Sequence, residues 1–260
     1  MKRTPISLAR EAIPDIFHPW VLDARVYDSS CSQAAQVLFL EKGAGYFLKS
    51  GPKCSLKNEA LMTNYFHKKG LSAEVLAYES YEKDWLLTQA VPGEDCLHPA
   101  YLEDPIRLCD TLGQTLRILH ETNCQDCPVD HLQEYILTAR NNYESRHFDE
   151  ALFPDNWGYA SPEAAWRVVE ENEKYLHRDT LLHGDYCLPN IMLQDWRFSG
   201  FIDLDSAGLG DRHIDLFWGI WSLGFNLKTD KYRNRFLDAY GRELVNDEIF
   251  PIIAAFEVFA

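Results

Sequence analysis

Residues 181–203 read LLHGDYCLPNIMLQDWRFSGFID. The stretch sets Asp185, then Asn190 five residues on, then Asp203 beyond two apolar runs that read as a hairpin. Phosphoryl transfer of the kinase type uses three such groups. One carboxylate orients and deprotonates the accepting hydroxyl, while an amide and a second carboxylate hold magnesium on the nucleotide phosphates. The interval D-x-x-x-x-N is that of the kinase catalytic loop, yet His183-Gly184-Asp185 stands where protein kinases carry His-Arg-Asp. That replacement points to a kinase of small molecules. Asp185 alone could cap a helix and Asp203 alone could end a buried strand. Neither reading accounts for the three together with His183 and Gly184, and Pro189 narrows the backbone states of the loop between them.

Working outward, the chain has no G-x-x-x-x-G-K-[ST] phosphate cradle. A kinase instead takes its positive charge from a strand lysine held by a helix glutamate. Lys49 closes a predicted strand, and Glu59 follows ten residues later in the first turn of a predicted helix. As an isolated pair these would read as a weak surface contact. With the downstream triplet they are assigned as the α/β-phosphate ligand and its anchor. Ser29–Ala34 lies where a nucleotide-covering loop belongs but has no glycine; Ser32 is its expected phosphate contact, through backbone N–H and hydroxyl.

The organisation is α+β. Gln36–Leu40 and Tyr46–Lys49 form a predicted hairpin, and Lys57–Lys69 a helix with Leu61, Met62, Tyr65 and Phe66 on one face. Trp85–Thr88 reads as a strand. Val91-Pro92-Gly93 is the expected hinge, dividing the chain into 1–92, an antiparallel sheet with one helix, and 93–260, mainly helical. In the second part Asp104 caps a helix opened by Pro105, with Leu108, Leu112, Leu116 and Leu119 on one face. Helices are expected over His131–Tyr143, from Ser161-Pro162-Glu163 with Trp166 and Val169 inward, over Asp211–Gly224 and Lys231–Tyr240, and finally over Ile249–Phe259. Phe148–Tyr159, FDEALFPDNWGY, is acidic, aromatic and irregular, as a substrate-facing loop would be.

Charge divides unevenly. Residues 1–92 carry 11 Lys and Arg against 10 Asp and Glu, and residues 93–260 carry 14 against 30. A basic face for nucleic acid is missing, so nucleic acid is not an expected partner. An acidic second part suits either plain solubility or a cationic ligand. No apolar run reaches membrane-spanning length and the N-terminus lacks a secretory pattern, so a cytoplasmic protein, monomer or weak homodimer, is expected. Seven cysteines without such a leader read as reduced thiols. His120, Cys124, Cys127 and His131 have zinc-like spacing, but Pro128 and a helix end among them favour loop structure.

The segment 181–204 resembles the signature of aminoglycoside phosphotransferases, particularly the 3′-hydroxyl class. YFLKS, the glutamate of NEALM, DWLLTQAVPGED, CPVDH, GDRHIDL and the closing FEVF match as well, covering the chain from about Cys31 onward. The resemblance implies a two-lobed, protein-kinase-like fold with ATP and Mg2+ as cofactors. It makes Asp185 the catalytic base or orienting carboxylate, and Asn190 and Asp203 the magnesium ligands. Phe47 would stack on adenine, with the Gln89 carbonyl and Val91 amide facing the base. An aminoglycoside is a polycation, so Asp149, Glu150, Asp155 and Glu257 are the expected ammonium partners. A metabolic small-molecule kinase of the same fold, acting on an amino alcohol or sugar, is the alternative; a non-catalytic nucleotide-binding module is disfavoured by the full residue set. Two departures stand out. The 3′ class commonly reads ID-x-G-R where this chain has Ile202-Asp203-Leu204-Asp205-Ser206, and an Asp-Glu pair where it has Phe256-Glu257.

Overall fold

Alternation of apolar side chains makes strands of the first third of the chain, and leucine-rich 3.6-residue periodicity makes helices of most of the rest. The structure, a computed structural model, describes residues 3–8, 12–31, 35–148 and 158–260. In chain order the first elements are β1 (Thr4–Pro5), α1 (His18–Val21), β2 (Arg25–Asp28), β3 (Gln36–Glu41), β4 (Tyr46–Pro52), α2 (Lys57–Lys68), β5 (Val75–Ser80), β6 (Lys83–Gln89) and β7 (Glu94–Asp95). Then come α3 (Pro99–Leu102), α4 (Pro105–His120), α5 (His131–Ser145), α6 (Pro162–Asn172), β8 (Thr180–Leu182), β9 (Ile191–Gln194), β10 (Arg197–Phe201), β11 (Gly208–Gly210), α7 (Arg212–Leu227), α8 (Arg233–Tyr240) and α9 (Ile249–Glu257).

The chain divides into two compact units, 1–98 with 189–206, and 99–188 with 207–260. The first holds an antiparallel sheet of order β1-β2-β3-β4-β6-β5, in which β4 lies centrally between β3 and β6. Leu38, Leu40, Leu48, Trp85 and Leu87 bury one face against Ile13 and Phe17. A second sheet, β10-β9-β7, recruits residues 191–201 into this unit because Glu94 and Asp95 pair with Leu193 and Met192. A division at residue 92 follows the chain, whereas this pairing carries the compact unit on to His98. In α2 the expected face is shifted. Met62, Tyr65 and Phe66 are buried, but Leu61 points outward at 41% exposure while Glu59 and Thr63 turn inward.

Among the described residues the regular structure of the second unit is helical apart from the short pair β8 and β11. Leu108, Leu112, Leu116 and Leu119 of α4 are fully buried, each stabilising the unit by about 1.5–3 kcal/mol relative to an exposed side chain. Asp104 caps α4 through the Arg107 N–H at 3.1 Å, and Ser161 caps α6 through the Ala164 N–H at 3.2 Å. The core of α5, α6 and α9 stacks aromatics, with Tyr143 on Trp166 at 4.5 Å and Tyr135 on Phe256 at 4.9 Å. Among the described residues no helix is long and apolar enough to cross a membrane.

Candidate active site

In the first unit the central position of β4 fixes Lys49, which pairs with Val37 on one side and Leu86 on the other. Its Nζ lies 2.7 Å from Glu59 and 2.8 Å from Asp203. Burial works against the ammonium, but the two carboxylates outweigh it and hold the Lys49 pKa above its ordinary value. Burial likewise pushes the Glu59 carboxyl up, with Lys49 opposing it and Asp203 and Asp205 adding to it. Three sequence positions separated by as many as 154 residues thus meet as one charge cluster.

The hairpin accounts for the long interval between Asn190 and Asp203. Ile191 pairs with Phe201, and the Ile202 N–H donates to the Asn190 carbonyl at 3.0 Å, so Asn190 lies opposite the residue that precedes Asp203. Asp195 and Trp196 make the tight turn with φ of +50° and +66°. Asp203 itself has φ +60°, a conformation Asp tolerates better than most side chains. Asn190 is buried, whereas the Asp203 side chain is half exposed. An amide oxygen and a carboxylate are hard donors. Magnesium held partly by nucleotide phosphates needs only one or two protein carboxylates, so the pair fits that ion. Among the described residues no three His, Cys, Asp or Glu side chains converge as an all-protein metal site.

Beside this cluster a cavity of about 160 Å³ is lined by Arg3, Phe47, Val91, Gly93, Glu94, Asp95, Met192 and Ile202. Phe47 and Val91, expected on the adenine, both face it. Gln89 ends β6 opposite Tyr46, its N–H donated to the Glu74 carbonyl, and does not line the cavity. Arg3, Asp95 and Met192 escaped the sequence reading, since only the pairing of β7 with β9 brings the last two together. Ser32 lies outside the described residues.

In the second unit β8 delivers His183, Gly184 and Asp185. Gly184 has φ +83°, which a side chain at this position would resist, so glycine in the loop is a backbone requirement. The organiser is Asp215 of α7, fully buried. Its Oδ1 accepts from the Gly184 N–H and its Oδ2 from the His183 N–H, both at 2.8 Å. His120 Nε2 reaches the same Oδ2 at 3.1 Å, and its Nδ1 meets the Tyr240 hydroxyl at 2.9 Å. Burial lowers the His120 pKa. In the neutral ring Nε2–H therefore donates to Asp215 and Nδ1 accepts from Tyr240. Burial tends to raise the Asp215 pKa, but the bonds from His120 and the loop more than offset it and the carboxylate is held below its usual range. Asp215 was missed as a functional residue. The available signal was a carboxylate on the apolar face of GDRHIDL.

Burial, with the Asp185 charge adding to it, pushes the Cys187 thiol up, so it stays protonated. Glu257 accepts from the Tyr135 hydroxyl at 2.7 Å and from Trp218 Nε1 at 3.2 Å. Burial, with the Asp185 charge adding to it, pushes the Glu257 carboxyl up to about 7 in spite of these bonds. Asp149, Glu150 and Asp155 lie outside the described residues. Cys124 and Cys127 donate to the carbonyls of Asp179 and Val129, and all seven cysteines are free thiols.

A family model described as "Phosphotransferase enzyme family" matches residues 30–250. A relative from Lactococcus lactis, named "Probable aminoglycoside 3'-phosphotransferase", is 47% identical over 96% of this chain and 95% of its own length. An aminoglycoside 3'-phosphotransferase of Niallia circulans is 28% identical over 64% of this chain and 63% of its own. Among solved structures, an aminoglycoside-3'-phosphotransferase of type VIII aligns with TM-score 0.75 at 22% identity, covering 96% of each chain. An aminoglycoside phosphotransferase of Streptomyces rimosus, in complex with ADP and streptomycin, aligns with TM-score 0.76 at 19% identity, over 97% of this chain and 99% of the other. The expected fold is the fold these structures share.

Proposed function

The chain belongs to the phosphotransferase enzyme family, and from that premise we propose that it transfers the γ-phosphate of ATP to a hydroxyl of an aminoglycoside, the 3′-hydroxyl foremost. The observation that carries the reading is Lys49 held at 2.7 Å from Glu59 and 2.8 Å from Asp203. A lysine whose charge is secured this way binds phosphate oxygens without losing its proton. The acceptor class rests on the relative at 47% identity and on the 30 carboxylates against 14 cations of residues 93–260.

Each residue then has a task. Lys49 neutralises the α- and β-phosphates, and Glu59 keeps its Nζ in place. Phe47 and Val91 flank the adenine, and the Val91 amide gives it a polar contact. Asn190 and Asp203 hold magnesium, which supplies charge neutralisation at the phosphates when bound. Asp185 orients the acceptor hydroxyl and takes its proton as the bond to phosphorus forms. Asp215 keeps the His183–Asp185 backbone in shape for that step. Glu257 pairs with a substrate ammonium, as do Asp149, Glu150 and Asp155 of the acidic loop, and Ser32 contacts phosphate. Phosphorylation adds negative charge to a drug that binds RNA as a cation, so resistance follows.

Coupled ATP consumption measured with kanamycin, neomycin, choline, homoserine and simple sugars tests the acceptor. Turnover on the aminoglycosides is expected, and turnover confined to an amino alcohol or sugar overturns the assignment. Asp185→Ala should lower kcat by about 10³-fold or more while nucleotide affinity stays within about twofold. Near-normal kcat in that variant would remove Asp185 from the base role.

A further inference from the structure

Asp84 of β6 carries a fully buried carboxylate that takes no part in the Lys49 cluster. Four neutral donors saturate it. Oδ1 accepts from the Cys54 N–H at 2.8 Å and the Ser80 hydroxyl at 2.6 Å. Oδ2 accepts from the Leu56 N–H at 2.9 Å and the Tyr78 hydroxyl at 2.8 Å. Two of these donors belong to the loop that joins β4 to α2. Cys54 has φ +68°, backbone that resists a side chain, and Leu56 is the N-cap of α2 with no side-chain acceptor of its own. Strand alternation places Asp84 on the Lys49 face of the sheet, because Lys49 pairs with Leu86 and Gly51 with Asp84. The start of α2 rests on that face through few apolar side chains: Leu56, Ala60 and Leu86, with Val75 and Tyr78 beside them. A patch of that size leaves the seating of the first turn to polar anchors. Glu59 stands three residues after Leu56 and meets Lys49 at 2.7 Å.

We propose that Asp84 is a positioning residue for nucleotide binding: it clamps the 54–56 loop to β6 so that α2 presents Glu59 to Lys49. The inference rests on the phosphotransferase reading of Lys49. A carboxylate at the start of a helix also complements the helix dipole, so the clamp suits an anion better than an amide. Lys49 has two carboxylates to choose between, and Asp203 is the more exposed, at 52% against 9% for Glu59. When the loop is released, Glu59 moves off the ammonium and Lys49 is left to Asp203, the residue assigned to magnesium. Lysine and metal then compete for one group.

The test is calorimetric titration of AMP-PNP and Mg2+ into the full-length protein and its variants, with thermal unfolding to confirm folding. Asp84→Asn puts an NH2 group against two of the four donors and should weaken binding about tenfold. In a Glu59→Gln background the same change should add less than about twofold, because its effect runs through Glu59. In turnover the KM for ATP rises and the KM for the acceptor does not. Should Asp84→Asn fail to fold, Tyr78→Phe combined with Ser80→Ala takes one donor from each oxygen and frees the carboxylate to turn. Binding should then fall about threefold, again only where Glu59 is present. Wild-type affinity in the folded variant overturns the proposal. So does an equal loss in both backgrounds, which would make Asp84 a contributor to stability alone, and so does a KM rise shared by the acceptor. If the wild-type protein binds no nucleotide, the phosphotransferase reading itself fails and takes the proposal with it.

Discussion

Replacing Gly93 by alanine separates the two ways in which a glycine can matter beside the cavity proposed for the nucleotide. Gly93 has φ +98°, and a Cβ built there would lie 2.1 Å from the Leu193 carbonyl oxygen and 2.7 Å from its carbon. Closest C···O approach is about 3.3 Å, so β7 and β9 must separate locally by roughly 1.2 Å, straining the pairing of Glu94 with Leu193. Left-handed backbone costs about 1–2 kcal/mol in a residue with a side chain. Overpacking adds about 1–3 kcal/mol. The sum, about 2–5 kcal/mol, corresponds to a fall in Tm of roughly 5–15 °C for a chain of this size. Gly70 supplies the control: its φ is +73°, but nothing lies within 4 Å of a Cβ there. Gly70→Ala should therefore lose only the backbone contribution, about 3–6 °C. Calorimetric unfolding of both variants reads the difference. Because Gly93 lines the cavity with Phe47 and Val91, its alanine variant should also raise the KM for ATP about tenfold and leave the acceptor KM alone. Equal destabilisation by the two substitutions, or a Gly93→Ala protein as stable as wild type, would refute the steric reasoning.

Glu257 makes stability depend on pH. Its folded-state pKa of about 7 lies above the ordinary value of 4.5, so the folded protein holds the proton more tightly. That contribution is complete below about pH 4.5 and is lost as pH rises through 7. Glu257→Gln, permanently neutral, should gain in Tm relative to wild type between pH 5 and pH 8, and a pH-independent difference would remove the argument. Asp215→Asn places an amide NH2 against N–H donors, since Oδ1 and Oδ2 both already accept from backbone. Urea unfolding should show a loss of about 1–3 kcal/mol, and kcat should fall with little change in the KM for ATP. Wild-type stability in that variant would mean that the buried carboxylate does not organise the loop.

How much of this was legible in the residues depends on the reach of each interaction. The interval from Asp185 to Asn190 is five residues of one loop, so its chemistry is carried by local order and is read directly. The leucine stripe of α4 and the caps at Asp104 and Ser161 are equally local, because helix periodicity and capping act within three or four positions. Leu61 was misplaced for the complementary reason: a helix face is selected by what packs against it, and here Glu59 had to turn inward to meet Lys49.

What the tertiary structure alone decided are the contacts between distant segments. Lys49 and Asp203 are separated by 154 positions, and no periodicity links them; the central place of β4 and the register Phe201 to Ile191 do. Pairing of Glu94 and Asp95 with β9 moves residues 189–206 into the first unit and closes the cavity around Phe47. The same long-range docking brings the Asp205 carbonyl oxygen to the Asn58 side-chain amide. By itself the sequence determined the kind of chemistry, since that needs only the right groups in the right order. The structure decided which backbone and charge partners hold those groups in position, because hydrogen bonds and ion pairs are set by distance in space and not by distance along the chain.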